Sequence, residues 1–451
     1  MKKIIILIFL VLSIIASLPL IGNKMVQNQL DMQIRLLESK GIAVTSSDEK
    51  SGYLKSYKHY ELSIDDMNKL SKSISKDSFK KIFPYSNELL KGSRVGLDLE
   101  YSNIPFIESV SVDAYLIKLS DSMMDGIKQK DIGFHDYIDG FLSKQGVLYH
   151  IDYNILSQNF NGFLKDIDES YTLKNNSMFL AKVLSFKFNG NGTLLEPKEF
   201  NSKADLFYID IKNNTDRFMF KLKRLDSSLN IYSKNSYNSN IEAEMFDFIS
   251  QGSSVKIQNI SLSNSFDTKS NKAKIKTVSS FDDLNISSQT TNISASDFKS
   301  DTLLSDVDKD SLEKFRVYMD SNKVDSLNSL IDAKESLLEL LSKGMKFYID
   351  EFYLKNINLN GENLGGLSVD SNLVLKEDKN LNGLIIYAPF LLINNLDLKF
   401  YMQMSKKVYK EINNIWPVDF LIQSYIKQKN DELIFDMILK DGNMKINGKP
   451  L

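Results

Sequence analysis

The 451 residues contain no cysteine. Disulfide staples and thiolate chemistry are therefore excluded, and so is a lipid anchor attached through cysteine. Histidine is scarce, with His59, His135 and His150 making three in all. They stand too far apart for metal-ligand spacing, and each reads as a surface or interface residue. The single tryptophan, Trp416, precedes Pro417 and follows a helical stretch. It reads as a core plug at a helix stop. An excess of either charge is also missing. Lys and Arg total 56 against 58 Asp and Glu, for a net charge of -2. That balance gives no broad electrostatic case for nucleic acid as a partner.

Catalytic motifs are absent as well. No Gly-x-Ser-x-Gly elbow, Walker loop or dinucleotide glycine pattern occurs. Asp306, Asp308 and Asp310 have the spacing that opens a calcium loop. Ser311 stands where that loop needs Gly, and Val317 where it needs a bidentate Glu. The sequence thus designates no catalytic, cofactor-binding or metal-binding residue, and the expectation is a protein that is not an enzyme and carries no cofactor.

What is present begins with Met1-Lys2-Lys3, followed by an uncharged apolar run over residues 4–21. Basic residues before such a run are a membrane-targeting signal, and eighteen residues at helical rise give about 27 Å. Ala16 and Ser17 make a poor cleavage site, so an uncleaved anchor is expected over a cleaved signal. No second run of this kind follows. Residues 1–22 are read as a membrane anchor contacting lipid, and 23–41 as an amphipathic stalk helix. In the stalk, Val26, Leu30, Ile34 and Leu37 fall at helical spacing and Gly41 stops the helix.

Residues 42–451 read as a β-rich domain. Val95, Leu97 and Leu99 alternate with Asp98 and Glu100, and Val147, Tyr149, Ile151 and Tyr153 alternate in the same way. Over residues 178–298 the period-2 pattern is regular, with one apolar and one wet face, as antiparallel pairing favours. Asn189-Gly190-Asn191-Gly192 reads as a hairpin turn. Asp310 with Glu313 reads as a capping box, and further helices are expected over 324–343 and 402–412. Strand resumes from residue 345, with a bulge near Asp350 and Glu351 and another strand over 391–400. The predicted fold is α+β, a predominantly antiparallel sheet, elongated and curved, with covering helices, after one N-terminal transmembrane helix. Two similar halves, about 42–300 and 301–451, are expected within it.

Several short segments resemble the YdgA-like (DUF945) family of bacterial envelope proteins. They are the terminal run from Leu439 to Leu451, the segment Ser51-Gly52-Tyr53-Leu54-Lys55-Ser56, and Ile104-Pro105-Phe106. Ser51 stands where the family has Arg, and Ile104 where it has Gly. The resemblance implies a single-pass inner-membrane protein of a Gram-negative bacterium, with its large domain in the periplasm. It assigns no reaction. Combined with the missing motifs, it leads to the expectation of a non-enzymatic binding or scaffolding role in the cell envelope. The partner would be an envelope protein or a lipid or other apolar ligand. Phe218, Phe220 and Leu222 are the candidate ligand face, because their alternation puts them on one side of a strand. The alternative is a carboxylate-dependent hydrolase acting on an envelope polymer.

Overall fold

The computed structural model describes residues 23–24, 26–74, 90–104, 109–144, 146–174, 177–193, 197–212, 216–233, 235–268, 271–320, 327–381, 389–415 and 423–450. The chain divides into two units, Met1–Asp205 and Leu206–Leu451. Each is built on antiparallel sheet with helices added.

In the first unit, helix α1 covers residues 26–39. Strands β1 (Ile42–Ser51), β2 (Lys55–Ile64), β3 (Arg94–Ser102), β4 (Ser109–Lys118), β5 (Tyr149–Asn154) and β6 (Asn159–Leu164) pair in sequence. Helix α2 (Met67–Ile74) separates β2 from β3, and α3 (Asp121–Lys130) and α4 (Ile132–Leu142) separate β4 from β5. The meander is then interrupted. Strands β7 (Ile167–Thr172) and β8 (Met178–Leu184) pair with each other, and β6 pairs with β9 (Lys187–Gly192). Strand β10 (Pro197–Lys212) pairs with β9 through Pro197 to Lys203, and it also borders β8.

Register puts one apolar set on one face of this sheet. Tyr60 lies opposite Leu97, Leu99 opposite Val112, and Val112 opposite Ile151. Helix α1 lies on that face. Val26 is fully buried there with Tyr60, Leu62, Leu99, Tyr101 and Val110, and Leu30, Ile34 and Leu37 pack beside it. Burying a Val or Leu side chain is worth about 1.5–3 kcal/mol, so this stripe is what holds the helix down.

In the second unit, β11 (Arg217–Ser233), β12 (Ser236–Ser250), β13 (Ser253–Asp267), β14 (Lys272–Ser287) and β15 (Asn292–Asp308) form an unbroken meander. Helices α5 (Lys309–Asp320) and α6 (Leu327–Ser342) follow. The meander continues through β16 (Met345–Leu359), β17 (Glu362–Leu375) and β18 (Leu396–Ser405). After α7 (Lys406–Ile415) and β19 (Lys427–Lys429), strand β20 (Glu432–Lys440) pairs with β18. Strands β19 and β21 (Asn443–Ile446) border β20, and β22 (Lys449–Pro450) closes the ladder. Leu312 and Phe315 of α5 and Leu340 of α6 pack on Ala273 and Val307, while Val408, Tyr409 and Ile412 of α7 pack on Met404, Leu433 and Phe435.

The fold is mixed α+β and dominated by antiparallel sheet, but the expected curved sheet is corrected. The sheet runs mostly flat rather than curled. The anchored part of the fold class is corrected too. Among the described residues no helix is long and apolar enough to cross a membrane. The run over 4–21 lies outside the described residues, as do Trp416 and Pro105-Phe106. The single-pass inner-membrane location, the periplasmic domain, and lipid as a partner through an N-terminal helix therefore have no spanning helix behind them among the described residues.

Local corrections have clear causes. Asp308, not Asp310, caps α5, with its Oδ1 accepting from the Ser311 amide at 3.0 Å and hydroxyl at 2.8 Å. The segment expected as strand from 391 starts with a 3-10 turn, Pro389–Asn395, and the strand runs on through Ser405 before α7 begins. The largest correction is Asn189-Gly190-Asn191-Gly192, which lies inside β9 and makes no turn. Its glycine is there for close approach. A Cβ on Gly190 would sit 2.0 Å from the Glu199 carbonyl oxygen and 2.5 Å from the Phe160 ring. Gly162 makes the same room for Phe188, whose ring would lie 2.3 Å from a Cβ.

Gly190→Ala is therefore expected to destabilise the chain by about 1–3 kcal/mol, because a backbone carbonyl has to yield. Gly126→Ala, in α3 with nothing within 4 Å of the new methyl, is expected to stabilise by about 0.5–1 kcal/mol. Urea unfolding of both variants measures this. Equal midpoints would show that the close approach at Gly190 does not constrain the strand.

Candidate functional site

A cavity of about 420 Å³ lies between α1 and the apolar face of the first unit's sheet. Leu30, Ile34 and Leu37 form its helix wall. Leu97, Leu99, Val110, Val112 and Ile155 form its floor. Met32, 54 % exposed, lies on the lining and reaches solvent. The polar groups on the lining are neutral: Gln29, Gln33, Gln158, Thr193 and the phenols of Tyr60 and Tyr153. Burial pushes the Tyr153 phenol up from its ordinary value, which keeps it uncharged.

Tyr60 is the distinctive member. It is 4 % exposed, and its hydroxyl has no partner at hydrogen-bond distance, although the Lys58 ammonium lies near enough to interact with it. The Lys58 ammonium lies 5.1 Å from its ring centroid, in reach of a cation–π attraction. That ammonium also faces Asp31 of α1 at 3.5 Å and Glu49 of β1 at 3.9 Å. A second tie joins helix and sheet where Gln27 donates to Glu49 at 2.5 Å. These contacts fix the helix at the height that leaves the cavity open.

The opposite face of the same sheet is wet and carries the histidines. In register, Asp48, His59, Asp98, Asp113 and His150 stand side by side across five strands. His59 Nδ1 is 2.7 Å from Asp98, and His150 Nδ1 is 2.6 Å from Asp113. His150 Nε2 also faces Asp152 at 3.4 Å, and its ring stacks on Phe163 at 5.0 Å. Asp98 and Asp113 are directly opposed, a like-charge pairing that costs stability unless cations flank it. Burial alone would lower the His150 pKa, but Asp113 and Asp152 outweigh it and hold it above the ordinary value of 6.5. Among the described residues, no group of three or more His, Asp or Glu is disposed to hold a metal ion.

The residues singled out from the sequence lie in the second unit. Phe218, Phe220 and Leu222 do share one face of β11, opposite the Phe246 and Phe248 side of β12. Phe218 meets Phe248 edge-on at 5.7 Å and Phe220 meets Phe246 edge-on at 5.9 Å. Phe218 is 41 % exposed, and Phe220 and Leu222 are half-buried. None of the three lines the α1 cavity. In the sequence the lining residues belong to separate patterns, among them the stripe of α1, the alternation of Leu97 and Leu99, and that of Ile151 and Tyr153. Tyr60 carries no signal in the sequence.

No family model, no curated protein and no solved structure matches the chain. The likeness to YdgA-like envelope proteins gains no support from them, and neither does the Gram-negative, periplasmic cell-envelope setting drawn from it. The anchored envelope protein expected from the sequence is corrected in its anchor, since no described helix is long and apolar enough to span a membrane.

The His150 pairing sets a pH dependence. Its folded pKa is raised, so its contribution is fully present below about pH 6.5 and is lost as pH rises through the higher folded value. The slope cannot exceed about 1.4 kcal/mol per pH unit for one proton. Urea midpoints between pH 5.5 and 8.5 are expected to fall with rising pH in the unaltered chain and to fall less in His150→Gln. Parallel curves for the two proteins would mean the pair contributes nothing.

Proposed function

We propose that the first unit is a binding module for a small, uncharged, apolar molecule held between α1 and the sheet. The observation that carries this reading is the α1 cavity, apolar on helix wall and floor, with neutral polar groups and a buried Tyr60 hydroxyl that has no partner at hydrogen-bond distance. Its volume, about 420 Å³, falls in the range of ligand pockets, roughly 300–1,000 Å³. An ion is disfavoured there, because an unpaired charge in apolar surroundings costs several kcal/mol. A ligand with one hydrogen-bonding oxygen or nitrogen would satisfy Tyr60 and leave the rest of the cavity dry. Binding without chemistry is the reading, since the lining presents no acid, base or nucleophile pair.

The uncharged fluorophore N-phenyl-1-naphthylamine tests it. Saturable binding of one molecule per chain is expected. Val112→Trp, which fills the floor, is expected to abolish it while circular dichroism keeps its strand signal. Tyr60→Phe removes an unsatisfied buried hydroxyl and is expected to raise the unliganded chain's stability by about 1 kcal/mol. A folded Val112→Trp protein that still binds the probe fully would sink the proposal. Loss of stability in Tyr60→Phe would show that the hydroxyl is already satisfied in the unliganded chain and is not waiting for a ligand.

A further inference from the structure

A second cavity, of about 330 Å³, lies in the other unit beneath α5. Its floor is the pair Tyr237 and Phe266, ring centroids 5.7 Å apart, together with Ile275. Leu312 and Phe315 of α5 form the roof. The rim differs in kind from that of the first cavity. Lys309, Glu313 and Arg316 lie along one side of the helix and leave a net positive edge. Arg316 is exposed, and its guanidinium has no hydrogen-bond or ion-pair partner among the described residues.

We infer that this cavity is a binding site for an amphiphilic monoanion, an apolar body ending in a carboxylate. The aromatic and aliphatic floor would take the apolar body. The carboxylate would meet Arg316, whose planar fork of donors matches two carboxylate oxygens at once. One unpaired guanidinium suits one negative charge. The Glu313 carboxylate on the same rim weighs against a dianion. Neutral alcohols of the same length lose the charge-assisted bonds and keep only the apolar contact. This site does not rest on the function proposed for the first unit, because no residue is shared between the two cavities.

Isothermal titration of the full chain with decanoate and with 1-decanol at pH 7 tests the inference. Decanoate is expected to bind a site at which 1-decanol is at least about tenfold weaker. Arg316→Ala, a surface change, is expected to weaken that site about tenfold and to leave N-phenyl-1-naphthylamine binding unchanged. Ile275→Trp, with its strand signal intact, is expected to remove the site by filling the floor. No decanoate binding overturns the inference. So does decanoate binding that Arg316→Ala leaves within twofold, or 1-decanol binding of equal strength at the same site. Loss of naphthylamine binding on its own would count against the first cavity and not this one.

Discussion

An antiparallel sheet whose alternate side chains are apolar has one face that water penalises, and everything else in the first unit follows from covering it. Helix α1 does so with a single stripe, Val26, Leu30, Ile34 and Leu37. A single helix is narrower than a sheet this wide, so contact is tight at Val26 and loose along the stretch from Leu30 to Leu37. The cavity is that looseness, bounded by side chains too short to meet across it. In the second unit the same constraint is met differently. Helices α5 and α6 pack at Ala273 and Val307, and α7 packs on β18 and β20, while Phe220, Phe246, Val255 and Ile257 are only half-buried.

The two faces of the first sheet divide the labour of polar and apolar chemistry. On the covered face, the charge of Lys58, its side chain 13 % exposed, is met by Glu49 beside it on β1 and Asp31 on α1. On the wet face, acids and histidines line up across strands, and the row tolerates opposed Asp98 and Asp113 because a histidine flanks each. The alternation that segregates apolar residues also assembles this row, since every second residue of each strand must point outward.

Keeping that alternation over strands of fifteen to seventeen residues requires phase corrections. In β11 the apolar set is Phe218, Phe220 and Leu222 before Arg224, and Leu225, Leu229 and Ile231 after it. Arg224 has φ of 49°, Asn259 in β13 has 51° and Asp297 in β15 has 53°, each taking up one residue out of the ladder. Every such step returns the following apolar residues to the same face. A sheet that lost one of them would turn half a strand inside out. The Gly162 and Gly190 positions serve packing in the first unit, where phenyl rings lie across backbone that any Cβ would block.

The sequence alone is enough to read the apolar stripe of α1 and its stop at Gly41, a helix ending near residue 343, the alternation of β3 and β11, and the irregularity at Asp350 and Glu351. These are local properties: each is set by residues within a turn or a strand of one another, so periodicity and glycine placement carry them. Asn189-Gly190-Asn191-Gly192 reads as a turn but forms strand, because a turn and a strand with close ring packing ask for the same glycine. Only the ladder partners, Phe160 and Glu199, distinguish the two. The resemblance and the apolar start of the chain suggested an anchored envelope protein, a conclusion about surroundings that short motifs do not determine. Tertiary structure alone decided that the α1 stripe meets Tyr60, Leu97 and Val112, that the Tyr60 hydroxyl is buried without a partner at hydrogen-bond distance, and that His59 and His150 share one row with Asp98 and Asp113. Those are contacts between residues 20 to 90 positions apart. The register that creates them is a property of the paired strands, which no single strand carries in its own sequence.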